Sequence, residues 1–339
     1  MKEISELQKL FEEINKLKNK ASMTTCHFCS ELTNSDDDDY LELHFSLLEQ
    51  EKKYFQPDLK LYFTFRKNRE KVHNFLKNKL KNLHDEQLQN DINEILEDLN
   101  FCDLEELKQW LKDLKAGKRE DEDKYVWSIM KSPFVEYHYS LWTDETLNEK
   151  FRHSLRHRFD EHREKGAELL LSKLDNNEDK DFHPDIIFCL GLLADRPKIA
   201  KERTLEYARK FADSDNDYLR DRAIIVLGWI GSIQDIPLLG EHLLNDTNAK
   251  CRTWSATSFM QMYFRRKSQS LVDKALPLLK QAISQEIDYF ALGCMINVVK
   301  ELTGKDFALP QYAIDNIDSE RIDKAKLKVE RFFKKLYKE

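Results

Sequence analysis

DYLRDRAIIVLGWIGSIQDIPLLGEHLLND (residues 217–246) poses a packing problem that the rest of the chain has to solve. Two apolar helical patterns stand back to back in it, too short and too apolar to be stable alone in water. Other segments must therefore cover both flanks. On either side of it, HPDIIFCLGLLAD (183–195), LRDRAIIVLGWIG (219–231), CRTWSATSFMQMY (251–263) and DYFALGCMINVVK (288–300) superimpose. Leu190, Leu227, Phe259 and Met295 then coincide, and Gly191 falls on Gly228. The row Ile186, Ala223, Ser255 and Ala291, one helical turn earlier, is mostly small. Small residues let neighbouring helices approach, and large ones a turn later fill the space between them. A second amphipathic pattern follows at 198–212, 236–244 and 271–284. Helix pairs repeating at this spacing signal an α-solenoid, so the pair at 217–246 is covered by a similar pair on each side.

The residues that carry the pattern resemble HEAT repeats. In that family an Asp precedes the first helix and an Arg stands three residues before a small residue. Asp217, Arg220 and Ala223 fit, as do Asp246, Arg252 and Ser255 at looser spacing. A Leu-Gly late in the first helix and a Pro opening the second also fit, in LGWIGSIQDIP (227–237). The resemblance spans roughly 180–310, and the flanking repeats place His183 and Asp288 where the Arg would stand. It implies stacked antiparallel helix pairs that hold another protein.

Composition agrees with an all-α chain. Only 8 Gly and 7 Pro occur in 339 residues, which favours helices joined by short polar loops over hairpin-rich sheets. The 55 basic residues are mixed among 62 acidic ones, for a net charge of −7, so nothing drives the whole chain toward nucleic acid or an anionic membrane. MKEISELQKLFEEINKLKNK (1–20) lacks the apolar core of a signal peptide. The longest apolar run, AIIVLGWIG (223–231), is far short of the roughly 20 residues of a membrane span. A cytoplasmic address is expected.

Ahead of the repeats, apolar spacing predicts helices at about 4–17, 39–54, 57–80, 85–99, 103–115, 121–131 and 144–164, with Asp36–Asp39 capping the second. The expected organisation is an irregular N-terminal helical region (1–165), HEAT-like repeats (166–310) and a basic amphipathic capping helix (311–339).

Four constellations bear on function. CHFC (26–29) would need two further ligands to hold zinc, and no second CxxC or HxxxH lies nearby, so no metal and no cofactor are expected. Asp213, Asp215 and Asp217 mimic the opening of a calcium loop, but Tyr218 stands where Gly is required and Ile224 where the closing Glu belongs. Asp175, Asn177 and Asp179 fail the same test, with Ile186 at the closing position. These acidic turns, with NDTNAK (245–250), fall between repeats and would line one edge of the stack. DRPK (195–198) and FRRKSQ (264–269) would line the other.

The helix at 149–166 is the densest in Arg and His. Its Arg152-x4-His157 and Arg156-x5-His162 spacings resemble the ribonuclease motif of the HEPN family, which implies metal-independent RNA cleavage with His as acid/base and Arg on the phosphate. HEAT-like folds also include DNA glycosylases with a basic concave face. Here the isoelectric point of about 5.9 opposes DNA, and Trp229 and Trp254 lie in helical patterns suited to packing.

The expectation is a non-catalytic protein-binding module whose acidic turns, at Asp175, Asp179, Asp213, Asp215, Asp217 and Asp246, face a basic partner. Its most specific form is an immunity protein that neutralises a toxin. The alternatives are the HEPN-like ribonuclease and the glycosylase.

Overall fold

A computed structural model describes residues 3–16, 28, 31–33, 35–50, 56–66, 68–99, 102–195 and 197–338. Cys26, His27 and Cys29 lie outside the described residues, so the CHFC pair has no structural account. Among the described residues there is no strand, and no helix is long and apolar enough to cross a membrane. The chain forms two compact units, Met1–His138 and Tyr139–Glu339.

The first unit contains α1 (Ile4–Lys16), α2 (Asp38–Gln50), α3 (Gln56–Thr64), α4 (Arg69–Leu80), α5 (Glu86–Leu99), α6 (Leu104–Lys115) and α7 (Glu122–Met130). Leu7, Leu41, Leu59, Val72, Ile92 and Leu99 share one fully buried core. The single helix expected over 57–80 is two helices. Arg66 turns inward at the break, and Asn68 caps α4 by accepting from the Lys71 amide at 3.0 Å. Arg66 is 2% exposed and reaches His44, Asp36 and the carbonyls of Ser35, Leu32 and Tyr40. Asp36 therefore serves Arg66 and the Asn68 amide rather than capping α2, while Asp38 opens that helix. His44 stacks on Phe63 at 3.6 Å and donates from Nε2 to the Leu59 carbonyl, leaving Nδ1 to accept from Arg66.

The division between units falls within α8 (Val135–Trp142). The second unit continues with α9 (Glu149–His157) and α10 (Arg163–Asp175), then α11 (His183–Asp195) and α12 (Lys201–Ala212). The pairs α13 (Asp217–Ile230) with α14 (Ile236–Asn245), and α15 (Ala249–Arg265) with α16 (Gln269–Gln285), follow. Next come α17 (Tyr289–Thr303), the short α18 (Gln311–Asp315) and α19 (Ser319–Tyr337). The first helices of the pairs form one layer, α11 on α13 on α15 on α17, and each second helix packs against the first helix of the following pair, α12 on α13, α14 on α15 and α16 on α17. This is the HEAT-like, all-α repeat architecture that the spacing predicts. Leu190, Leu227, Phe259 and Met295 are each fully buried, and so are Ile186, Ala223, Ser255 and Ala291. Burying such a large apolar side chain stabilises by about 1.5–3 kcal/mol.

Gly228 shows why the layer is tight. A Cβ there would collide with the Gln261 amide and come within 2.6 Å of Ser258 Oγ. That Ser258 hydroxyl donates to the Ile224 carbonyl across the two helices at 3.0 Å. At the far end α19 buries Ile322, Ala325, Val329 and Phe333 while packing on α16 and α17.

The helix expected at 144–164 is divided. A 3-10 turn at Phe159–His162 and the positive φ of Arg163 separate α9 from α10, because Phe159 turns in to pack on Trp142 and Tyr139.

Candidate protein-binding site

The first helices of the last three repeats, α13, α15 and α17, each begin with a polar cap. Asn216 accepts from the Tyr218 and Leu219 amides, Asn248 from Lys250 and Asp288 from Ala291. Asn at the N-cap satisfies amides that have no intrahelical partner. The neighbouring carboxylates of the second and third repeats are thereby released for other bonds.

Arg220 takes most of them. Its Nε and Nη2 donate to the two oxygens of Asp246 at 2.8 and 2.9 Å, Nη2 also donates to Asp217 at 2.7 Å, and Nη1 donates to the Ser214 carbonyl. Arg252 repeats the arrangement one step along. Its fork grips both oxygens of Glu286 at 2.7 Å, and Nη1 donates to the Asp246 carbonyl. Each arginine thus ties the turn before its pair to the turn after it. His183, at the same register in the first repeat, keeps half of that role by donating to the Glu178 carbonyl at 2.8 Å.

The clamp separates the expected site residues. The Asp246 side chain is 1% exposed and also accepts from His242 Nδ1 at 3.0 Å. Burial pushes its carboxyl up, but the bonds from His242 and Arg220 and the Asn248 amide outweigh burial and hold it well below the usual range. Asp246 is thus corrected from a partner-facing charge to an internal anchor, because a bidentate arginine consumes both its oxygens. Glu286 fills the same role in the following repeat. Sequence reading missed it because the residue type and the spacing both change.

Asp213, Asp215 and Asp217 remain together on one exposed turn. Asp213 is 72% exposed, with His242 Nε2 at 3.6 Å. Asp217 is 55% exposed, and hydrogen bonds from Asn248 and Arg220 hold its carboxyl below the usual range. Asp175 and Asp179 occupy the preceding turn and are partly neutralised. Asp175 pairs with Arg203 and accepts from Tyr207, and Asp179 accepts from Tyr139 at 2.8 Å beside Lys173. On the turn before α17, Ile287 is 88% exposed next to Tyr289 and Phe290. This apolar end also escaped sequence reading, since one Ile in a polar turn has no periodicity to reveal it.

The Arg/His segment does not assemble its expected pairs. Arg156 is committed to Asp185 at 2.7 Å and to His153 Nδ1 at 2.7 Å. His162 lies beyond the helix break and packs on Phe159, where burial and then Lys165 push its imidazole down to about 4. Burial, with His153 and Arg156, also lowers His157. Trp229 packs edge-on against Phe188 at 4.9 Å. Among the described residues no group of three His, Cys, Asp or Glu side chains is placed to hold a metal ion.

No curated protein matches the chain. Residues 167–259 match the family of HEAT repeats, the segment that holds the α11–α14 pairs and the Arg220 clamp. With that match and the observed stacking, the chain is a HEAT-like helical-repeat protein, an architecture that serves as a protein-interaction module.

Proposed function

We propose that the second unit binds a basic partner protein along its inter-repeat edge, with Asp213, Asp215 and Asp217 as the principal charges. One observation carries this reading: these three carboxylates stay exposed on one turn while the same turn is fixed from within by Arg220. A fixed cluster of like charge raises the encounter rate with an oppositely charged protein. Asp175 and Asp179 extend the edge at reduced charge. In its most specific form the partner is a basic toxin domain whose active surface the acidic edge covers, which would make this an immunity protein.

The test uses the partner recovered from the native host, with association measured at several salt concentrations. Asp213→Lys with Asp215→Lys should slow association by about tenfold or more and flatten its salt dependence. His157→Ala with His162→Ala should leave association unchanged. Unaltered association after charge reversal defeats the reading. Metal-independent RNA cleavage that is lost with either His would replace it with the ribonuclease.

A further inference from the structure

On the opposite edge, where each pair turns back on itself, the turn of the third pair is basic, with Arg265, Arg266 and Lys267 in succession. Between the turns of the second and third repeats lies a recess of about 420 Å³. Its charged lining is Lys201, Arg265 and Arg266, and its apolar lining includes Ile233, Met262 and Leu271. No carboxylate lines it. We propose that this recess docks an acidic, partly apolar peptide segment of a partner protein, with a Glu or Asp carboxylate on Arg265 and Arg266.

Arg265 is the central observation. Its Nη2 donates to the carbonyls of Gly228 at 3.1 Å and Gly231 at 2.8 Å, which fixes the guanidinium at the recess wall. No carboxylate among the described residues forms an ion pair with it. Asp195 and Asp235 attract it from longer range, but Asp235 is buried and committed to Arg209 at 2.7 Å and to the Ser232 amide. Arg265 is exposed and has no ion-paired anion among the described residues; partial burial lowers its pKa against the pull of Asp195 and Asp235. An entering carboxylate would supply that anion through charge-assisted bonds to a donor already in place.

The apolar side of the lining selects among anions. Met262 and Leu271 are nearly buried and, with Ile233, offer a surface for the methylenes of Glu or for an adjacent aliphatic residue. No aromatic ring lines the recess, so a nucleotide base has nothing to stack on. The volume falls within the common range for small-ligand sites, roughly 300–1,000 Å³.

The experiment measures fluorescence anisotropy of a labelled synthetic Glu/Leu peptide with the full chain. Its Gln/Leu counterpart, a single-stranded RNA oligomer and inorganic phosphate are the comparison probes. The Glu/Leu peptide should bind at least about tenfold more tightly than the Gln/Leu peptide. Lys201→Glu with Arg266→Glu should abolish that preference without lowering the melting temperature, since neither side chain ties the fold together. Asp213→Lys with Asp215→Lys should leave peptide binding unchanged, so failure here and failure of the acidic edge are separate results. Absent binding, equal affinity for the two peptides, or indifference to the double substitution would overturn the proposal. So would displacement of the peptide by phosphate or preferential binding of the RNA.

Discussion

Both units are organised around buried arginines, and they use them differently. In the first unit Arg66 is a single device. It holds three carbonyls, Asp36 and a neutral His44 around one chain break. In the second unit Arg220 and Arg252 perform one task twice, at equivalent positions in successive pairs. The same chemistry is therefore a local lock in one region and a repeating rung in the other. A buried cation need not be a functional residue. Arg265 differs from these: it is exposed, and no carboxylate among the described residues forms an ion pair with it.

The largest effects should come from the arginines. Arg220→Ala leaves Asp246 buried without its cation, and breaking such a pair costs about 3–5 kcal/mol. Arg252→Ala should cost a similar amount through Glu286, and Arg66→Ala through Asp36 and its carbonyls. Urea titration reads the size of each loss, and hydrogen exchange by segment reads its location. Loss of protection is expected within Met1–His138 for Arg66→Ala and within Tyr139–Glu339 for the other two. Equal disturbance in both units would break the contrast.

Core truncation comes next. Leu227→Ala removes a fully buried side chain from the layer of first helices and should cost about 2–5 kcal/mol. A near-neutral shift in the denaturation midpoint would contradict the register that aligns Leu227 with Leu190, Phe259 and Met295.

The pH dependence should show one histidine in each unit, His44 buried in the first and His162 half-buried in the second. Burial holds His162 at about 4, against about 6.5 for a free imidazole, and burial and Arg66 hold His44 well below that value too. The unfolded chain protonates first as pH falls. Stability is therefore intact above about 6.5 and declines toward 4, with His162 contributing up to about 3 kcal/mol. His162→Leu should flatten that slope in the second unit and leave it in the first. Below about pH 4 a separate loss follows from Asp246 and Glu286, whose folded carboxyls are held below their ordinary values. Identical pH profiles for wild type and His162→Leu would remove His162 as a cause.

The smallest effect belongs to the exposed turn. Asp213→Lys with Asp215→Lys should change stability by no more than about 0.5 kcal/mol, because neither carboxylate joins the Arg220 clamp. A thermal melt is sufficient to check this. A large loss would mean that the acidic edge is structural, as Asp246 is.

Much of the repeat architecture was legible because it is periodic. The coincidence of Leu190, Leu227, Phe259 and Met295 is a statement about spacing along one chain, and all four proved fully buried. The breaks were harder to read. Nothing in the apolar spacing of 57–80 reveals that Arg66 turns inward, and nothing in 149–166 reveals that Phe159 joins Trp142 and ends the helix. In each case a residue distant in sequence supplies the competing contact.

Helix pairs, their approximate limits, the rows that bury and the sign of charge on the turns could all be read from the chain, since each follows from local spacing and composition. Which charges remain available was settled only by contacts made in three dimensions. Asp246 and Asp217 look alike in sequence, yet one is 1% exposed and the other 55%. The physical reason is that the fate of a polar side chain depends on its partner's position in space. Arg220 reaches Asp246 across 26 residues, and no local pattern encodes which carboxylate it takes or that Arg265 finds none.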